Sequence, residues 1–180
     1  DSSEFVAFNN LSVEAQRGMD LYLGELGPNF NGRSGECAHC HSFTRNSAIF
    51  ARNNFSNNAI DSVGSFNDFI DKGLGGITGN APDNGRFREV SLRNAGLTAP
   101  YMHDGRFATL EEVLDHYVEH SGTYRGPNVA SDIAAATTLP GLTQNEKQDI
   151  IAFLHSLTDT SYFGKTEWSD PFLMADPWAQ

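Results

Sequence analysis

The sequence predicts a mostly helical fold with long loops, and three of its features lead to this class. Two segments have the pattern of a capping box, in which a threonine and a glutamate three residues later satisfy the first amides of a helix; they are Thr109 with Glu112 and Thr143 with Glu146. Residues 44–84 are rich in Asn, Gly and Asp and show little helical periodicity. No run of residues stands out as a strand.

An N-terminal helix is expected to begin after Ser12 and to end near Leu26. Ser12 is a good capping residue, and Glu14 in the first turn interacts favourably with the positive end of the helix dipole. Gly18 would permit the close approach of another helix. The apolar stripe of this helix consists of Ala15, Met19 and Tyr22.

The two helices that begin at the capping boxes are expected to end near His120 and near Leu157, with short turns such as residues 65–71 in the loop region before them. Each has an apolar face at helical spacing. On the first, the face consists of Leu110, Val113, Leu114 and Tyr117; on the second, of Ile150, Ile151, Phe153, Leu154 and Leu157.

Length and charge limit the classes of function. A chain of 180 residues is long enough for one buried core, and no apolar run approaches the ~20 residues that cross a membrane. The net charge of −11 disfavours binding to nucleic acid, whose phosphates require Lys and Arg patches. The same charge can steer the protein toward a positively charged redox partner, or it can simply keep the protein soluble.

The chain has two cysteines, which lie in the segment Cys37-Ala38-His39-Cys40-His41. A disulfide framework needs more cysteines, a structural zinc site needs four ligands, and a redox Cys-x-x-Cys motif normally follows a strand. Cys-x-x-Cys-His is the attachment pattern of haem c: the two thiols form thioethers with the haem vinyl groups, and the following imidazole binds the iron. We therefore expect one covalent haem c, with His41 as an axial ligand and His39 as a spacer.

Several side chains are candidates for the second axial position. Tyr117 lies on the apolar face of its helix and should point inward, whereas the thioether of Met102 lies in a loop that could bring it to the iron. His103 is a further candidate, whereas His116 and His120 share the opposite flank and are expected to be solvated, and His155 is expected to be partly buried. Residue spacing leaves Met102 and Tyr117 as rivals.

The later sequence resembles a known family. The run SLRNAGLTAPYMHDGRF at residues 91–107, followed by TLEEV at 109–113 and HY at 116–117, is similar, together with the attachment motif, to the C-terminal electron-transfer haem domain of the di-haem cytochrome c peroxidase and MauG family. The likeness covers residues 12–157 and implies a cytochrome c-like fold whose long loops wrap the haem. It implies Tyr117 as the distal ligand, since that position is Met in bacterial peroxidases and Tyr in MauG-like proteins. The position of Met102 is often Phe in the family.

The resemblance also implies a calcium site that uses the backbone carbonyls of Thr98 and Pro100, which suit this hard cation. The second haem domain that would complete the site is missing from this sequence. Arg86, Arg93 and Asn94 are candidates to hydrogen-bond the haem propionates, or are solvated surface groups. The sequence departs from the family at Val90, where Pro is common.

These expectations lead to two functional hypotheses. The first is a single-haem electron-transfer domain at residues 1–158, with a tail at 159–180 that packs on the domain or on a partner. The second is a peroxidase or MauG-like oxidase that uses hydrogen peroxide, alone or with a second haem domain or subunit. Because haem c is attached outside the cytoplasmic membrane, we expect a periplasmic or extracellular protein whose signal peptide has been removed.

Overall fold

The computed structural model describes residues 10–24, 33–42, 50–120, 126–131, 133, 141–161, 163 and 165, and the statements below concern these residues. Helices α1, α2, α3 and α4 span Val13–Leu23, Leu74–Thr78, Leu110–Asp115 and Gln144–Ser156. A π-helical turn at His116–His120 continues α3. Strands β1 (Phe55–Ser56) and β2 (Phe87–Arg88) pair antiparallel. Short 3-10 turns occur at Cys37–His39, Phe66–Asp68, Ala81–Asp83 and Ala95–Leu97. The mostly helical class predicted from the sequence is confirmed.

Helix α1 begins as predicted and ends three residues before the expected Leu26. The Ser12 hydroxyl accepts a hydrogen bond from the amide of Ala15 at 3.2 Å. Gly24 ends the helix in the left-handed conformation, with φ of 76°, which glycine adopts without strain. The predicted stripe of Ala15, Met19 and Tyr22 is buried.

Helices α1 and α4 form the main packing contact of the fold. Gly18 lies directly against the backbone of α4, because a Cβ atom at this position would come within 1.9 Å of the carbonyl oxygen of Asp149. The close approach predicted for this glycine is therefore confirmed. Beside it, Arg17 donates two hydrogen bonds to the Asp149 carboxylate, each at 2.8 Å.

The core lies between this helix pair and α3. Tyr22, Phe50 and Phe153 form an aromatic cluster with ring centroids 5.2–6.1 Å apart. The predicted apolar face of α4 is buried, and both predicted capping boxes are present. The aliphatic side chains of the core are Met19, Leu21, Leu110, Leu114, Leu142, Ile150, Ile151, Leu154 and Leu157.

The predictions for two histidines were wrong. His116 was expected to be solvated, but only 3% of its surface is exposed. The chain changes from α to π geometry at His116, so the 3.6-residue spacing behind the prediction no longer holds. His155 was expected to be partly buried and is exposed, although Gly96 of the turn Ala95–Leu97 lies close to its ring. His120 lies at the end of the π-helical turn, and its side chain is outside the described part of the chain.

The loop region contains two features that the sequence did not reveal. Strands β1 and β2 are two residues long, too short for an alternating pattern to be visible. Helix α2 contains two glycines, which disfavour helix formation, and for this reason the sequence did not predict it. Within the expected turn at residues 65–71, Phe66–Asp68 is a capped 3-10 turn. Of the expected loop, residues 43–49 lie outside the described part.

The predicted C-terminal tail lies mostly outside the described residues, including Trp168, Phe172 and Trp178. Where the tail begins, the amide of Asp159 donates a hydrogen bond to the Asn94 side chain at 2.7 Å. No helix in the described ranges is long and apolar enough to cross a membrane.

Candidate haem-binding site

The cysteines and His41 lie on one tight turn. Residues Cys37–His39 form a single 3-10 turn, and the amides of Cys40 and His41 both donate to the carbonyl of Cys37, at 3.2 and 2.9 Å. Both thiols are half-buried and neither is in a disulfide. Burial raises the pKa of Cys37 to about 12. His39 pairs with Glu36 at 3.2 Å.

Helix α1 anchors this turn from behind. The amide of Gly35 donates to the carbonyl of Leu21 at 2.9 Å, and the hydroxyl of the buried Tyr22 donates to the carbonyl of His41. Burial raises the pKa of Tyr22, so its hydroxyl keeps the proton that it donates. The apolar core and the attachment turn are therefore connected through one helix.

The His41 ring is oriented by a second segment of the chain. Its Nδ1 lies 2.9 Å from the carbonyl oxygen of Val90. A carbonyl can only accept, so Nδ1 carries the hydrogen, and in a neutral ring Nε2 is then the nitrogen with the lone pair. Burial lowers the pKa of His41, which favours this neutral form. This arrangement fits an axial ligand, since metal-bound histidines usually donate their other ring N–H to a carbonyl or carboxylate.

A buried carboxylate next to Val90 holds that segment in place. Glu89 accepts hydrogen bonds from Arg52 at 3.0 and 3.3 Å, from Asn54 at 3.3 Å and from the hydroxyl of Ser56. Burial alone would raise the pKa of Glu89, but the bonds from Arg52 and Ser56 outweigh it and lower the pKa. No local pattern in the sequence reveals this network, because its members lie 33–37 residues from Glu89 along the chain.

The two rival distal ligands lie beside one another. The side-chain nitrogen of Asn58 lies 3.3 Å from the Tyr117 hydroxyl and 3.5 Å from the Met102 sulphur. Burial raises the pKa of Tyr117 to about 12, and interaction with Cys37 and Cys40 adds to the shift. The Tyr117 side chain is half-buried, and its hydroxyl contacts Asn58.

The remaining candidates contact other parts of the chain. Arg86 contacts Asp83 at 3.3 Å, and its Nε is buried without a hydrogen-bond partner. The Arg93 guanidinium lies 5.8 Å from the Phe50 ring centroid, and Asn94 bonds the start of the tail, as described above. The ring of His103 stacks on Phe87 at 3.6 Å.

The two residues expected to bind calcium, Thr98 and Pro100, are exposed. Among the described residues, no group of three or more His, Cys, Asp or Glu side chains is arranged to hold a metal ion.

Fold and site together define a mostly helical domain built around a Cys-x-x-Cys-His turn, and comparisons with known proteins agree with this class. No family model matches the chain. A cytochrome-c peroxidase of Pseudomonas sp. (strain SCT) is 39% identical over 108 residues, which is 60% of this chain and 24% of that protein. The methylamine utilization protein MauG of Methylorubrum extorquens is 28% identical over 149 residues, which is 82% of this chain and 35% of MauG.

Solved structures give the same relationship. A MauG-like protein associated with microbial copper homeostasis superimposes with a TM-score of 0.67 and 38% identity, over 90% of this chain and 48% of that one. The diheme peroxidase BthA from Burkholderia thailandensis shares the fold, with a TM-score of 0.61 at 19% identity.

The chain is related to the di-haem cytochrome c peroxidase and MauG proteins and corresponds to part of them. It spans less than half the length of each of the relatives described above. The resemblance predicted from the sequence is confirmed, and the relationship supports haem as the cofactor.

Proposed function

We propose that this chain is a single-haem c-type cytochrome domain that transfers electrons. One observation carries the proposal: the turn that presents Cys37 and Cys40 also presents His41, whose Nδ1 lies 2.9 Å from the Val90 carbonyl oxygen. When bound, haem c supplies a one-electron redox centre. The residues of the chain attach it, fix its proximal ligand and shield it from water.

The distal side favours electron transfer over peroxide reduction. Tyr117, with Met102 as the second candidate, would fill the second axial position and exclude a substrate from the iron. Arg86 is the best-supported candidate to bind a haem propionate, because its buried Nε lacks a protein partner. Arg93 and Asn94 are weaker candidates, because the core already engages Arg93 and the tail already engages Asn94.

The second candidate function is that of a peroxidase or MauG-like oxidase that acts with a second haem domain. The names of the relatives and the partial coverage of their length favour it. In that case the other domain would carry the peroxide chemistry and would complete a calcium site with the carbonyls of Thr98 and Pro100. In either case we expect a periplasmic or extracellular location and, given the net charge of −11, a positively charged redox partner.

Haem attachment is tested by mass spectrometry of the denatured protein. We expect one haem to be retained, and we expect Cys37→Ala or Cys40→Ala to weaken that retention because each removes one thioether. His39→Ala, in the same motif, is the matched control and should retain haem fully. Haem that extracts freely from the wild-type protein into acidic acetone would contradict the attachment.

The distal ligand and the activity are tested separately. Tyr117→Phe should change the ferric spectrum and raise the midpoint potential, because a phenolate stabilises ferric iron; Met102→Leu should leave the spectrum nearly unchanged. In stopped flow the haem protein should exchange electrons rapidly with a small cytochrome and show negligible peroxide turnover. Efficient turnover by this chain alone would favour the enzyme instead.

A further inference from the structure

The side-chain amide of Asn58 reaches both candidate distal ligands at once. Its Nδ2 carries two hydrogens and lies 3.3 Å from the Tyr117 oxygen and 3.5 Å from the Met102 sulphur. A sulphur acceptor tolerates this longer separation. One amide therefore faces two side chains that compete for the same position.

Asn58 is itself held firmly. The buried His116 donates from Nε2 to the backbone carbonyl of Asn58 at 3.0 Å, since a carbonyl can only accept. The side chain of Asn57 accepts from the amide of Ala59 at 2.9 Å and donates to Asn128 at 2.9 Å. These contacts fix the backbone on both sides of Asn58, and none of them uses the Asn58 side chain.

The rival thioether is held in an unusual backbone conformation. Met102 has φ of 73°, which non-glycine residues rarely adopt. The loop around it is closed by the hydrogen bond from the amide of Tyr101 to the carbonyl of Phe107 at 2.7 Å. Strained residues of this kind persist where the surrounding structure imposes the geometry, and they concentrate at functional sites.

The two acceptors do not benefit equally from the amide. Toward a phenol oxygen and a thioether sulphur, Nδ2 acts only as a donor. A metal-bound phenolate carries negative charge, and a hydrogen bond to a charged oxygen is about twice as strong as one to a neutral acceptor. The amide therefore stabilises Tyr117 as a ligand more than it stabilises Met102.

We propose that Asn58 is a positioning residue that selects Tyr117 rather than Met102 as the distal ligand of the haem iron. This inference rests on the proposed function, because it requires the haem that Cys37 and Cys40 attach. Asn58 acts through the ligands and does not itself bind the iron. Removing its donor hydrogens should raise the ratio of Met102-bound to Tyr117-bound iron by roughly tenfold or more.

The experiment compares the purified haem protein with Asn58→Leu and Asn58→Asp, which are close in size to asparagine and lack the donor. Asn53→Leu is the matched control, since Asn53 is exposed on the same loop. Covalent haem content is measured first for every variant. Ferric and ferrous spectra and the midpoint potential are then recorded. Both oxidation states are needed because ferrous iron prefers a thioether, so a partial replacement of Tyr117 by Met102 is visible in the ferrous spectrum even where the ferric spectrum does not show it.

We expect both Asn58 variants to gain the absorption of a thioether-bound iron and a more positive midpoint potential, and Asn53→Leu to match wild type. Adding Met102→Leu to Asn58→Leu should abolish both changes. The inference is overturned if the Asn58 variants retain the wild-type spectra and potential in both oxidation states, or if the changes survive Met102→Leu. Failure of wild type to retain haem would instead contradict the proposed function.

Discussion

The helix pair and the loop region of this protein are stabilised in different ways. Helices α1 and α4 pack through apolar side chains and one glycine, with the aromatic cluster at their centre. The loop region from residue 50 to residue 107 places few large side chains in the core and relies on buried polar groups such as Glu89, Asn57 and Asn84. Asn84, for example, donates to the carbonyl of Phe66 at 2.9 Å.

The difference explains where the candidate ligands lie. The helix pair supports the attachment turn through Tyr22 and Leu21, whereas the loop region orients His41 through Val90 and the distal candidates through Asn58. Apolar packing gives stability without directional precision, while hydrogen bonds fix directions. The helix pair therefore stabilises the attachment turn, and the loop region orients the side chains of the site.

The largest expected effect is in the helix pair. Phe153 is fully buried between Tyr22 and Phe50, so Phe153→Ala should lower the free energy of unfolding by about 3–5 kcal/mol through lost burial and the cavity left behind. Urea denaturation followed by circular dichroism measures it. Ile77→Ala, at a side chain that is 86% exposed in the loop region, should change stability by less than about 0.5 kcal/mol.

A smaller effect is expected in the loop region. Glu89→Gln keeps the size of the side chain but turns an amide toward the donors of Arg52, Asn54 and Ser56, which should cost about 1–3 kcal/mol of unfolding free energy. Because Val90 follows directly, the ferric spectrum of the haem protein should also change.

Glu111→Gln, at a glutamate that accepts a hydrogen bond from Gln148 at 3.3 Å, is the control and should leave the spectrum unchanged. If Glu89→Gln loses stability but keeps the wild-type spectrum, the hydrogen bonds of Glu89 do not orient His41.

The helix pair could be predicted from the sequence and the loop region largely could not. Caps at Ser12, Thr109 and Thr143 and the apolar faces of α1 and α4 are local patterns that hold in the structure, whereas helical spacing fails where α3 changes to π geometry at His116. The attachment motif is local as well. By contrast, the contacts of Glu89 and Asn58 join residues 33–59 positions apart, and no local pattern shows which of many asparagines and glutamates will meet.

The smallest expected effect concerns a charged contact at the start of α4. The Glu146 carboxylate accepts from the amide and hydroxyl of Thr143, both at 2.7 Å, and from Arg33 at 2.9 Å. Burial alone would raise the pKa of Glu146, but these hydrogen bonds outweigh it and lower the pKa below its ordinary value of 4.5.

A carboxyl group whose pKa is lower in the folded than in the unfolded state stabilises the fold at pH values above its unfolded-state pKa. This stabilisation is lost as the pH falls through its folded-state pKa. Wild type should therefore lose unfolding free energy below about pH 4.5, and Glu146→Gln should lose less over the same interval while being about 0.5–1.5 kcal/mol less stable at pH 7. Urea unfolding at pH 7 and at several values below 4.5 measures both, with Glu111→Gln as the control. If wild type and Glu146→Gln lose the same amount of unfolding free energy as the pH falls, the Glu146 carboxylate at the start of α4 does not cause the acid sensitivity of the protein.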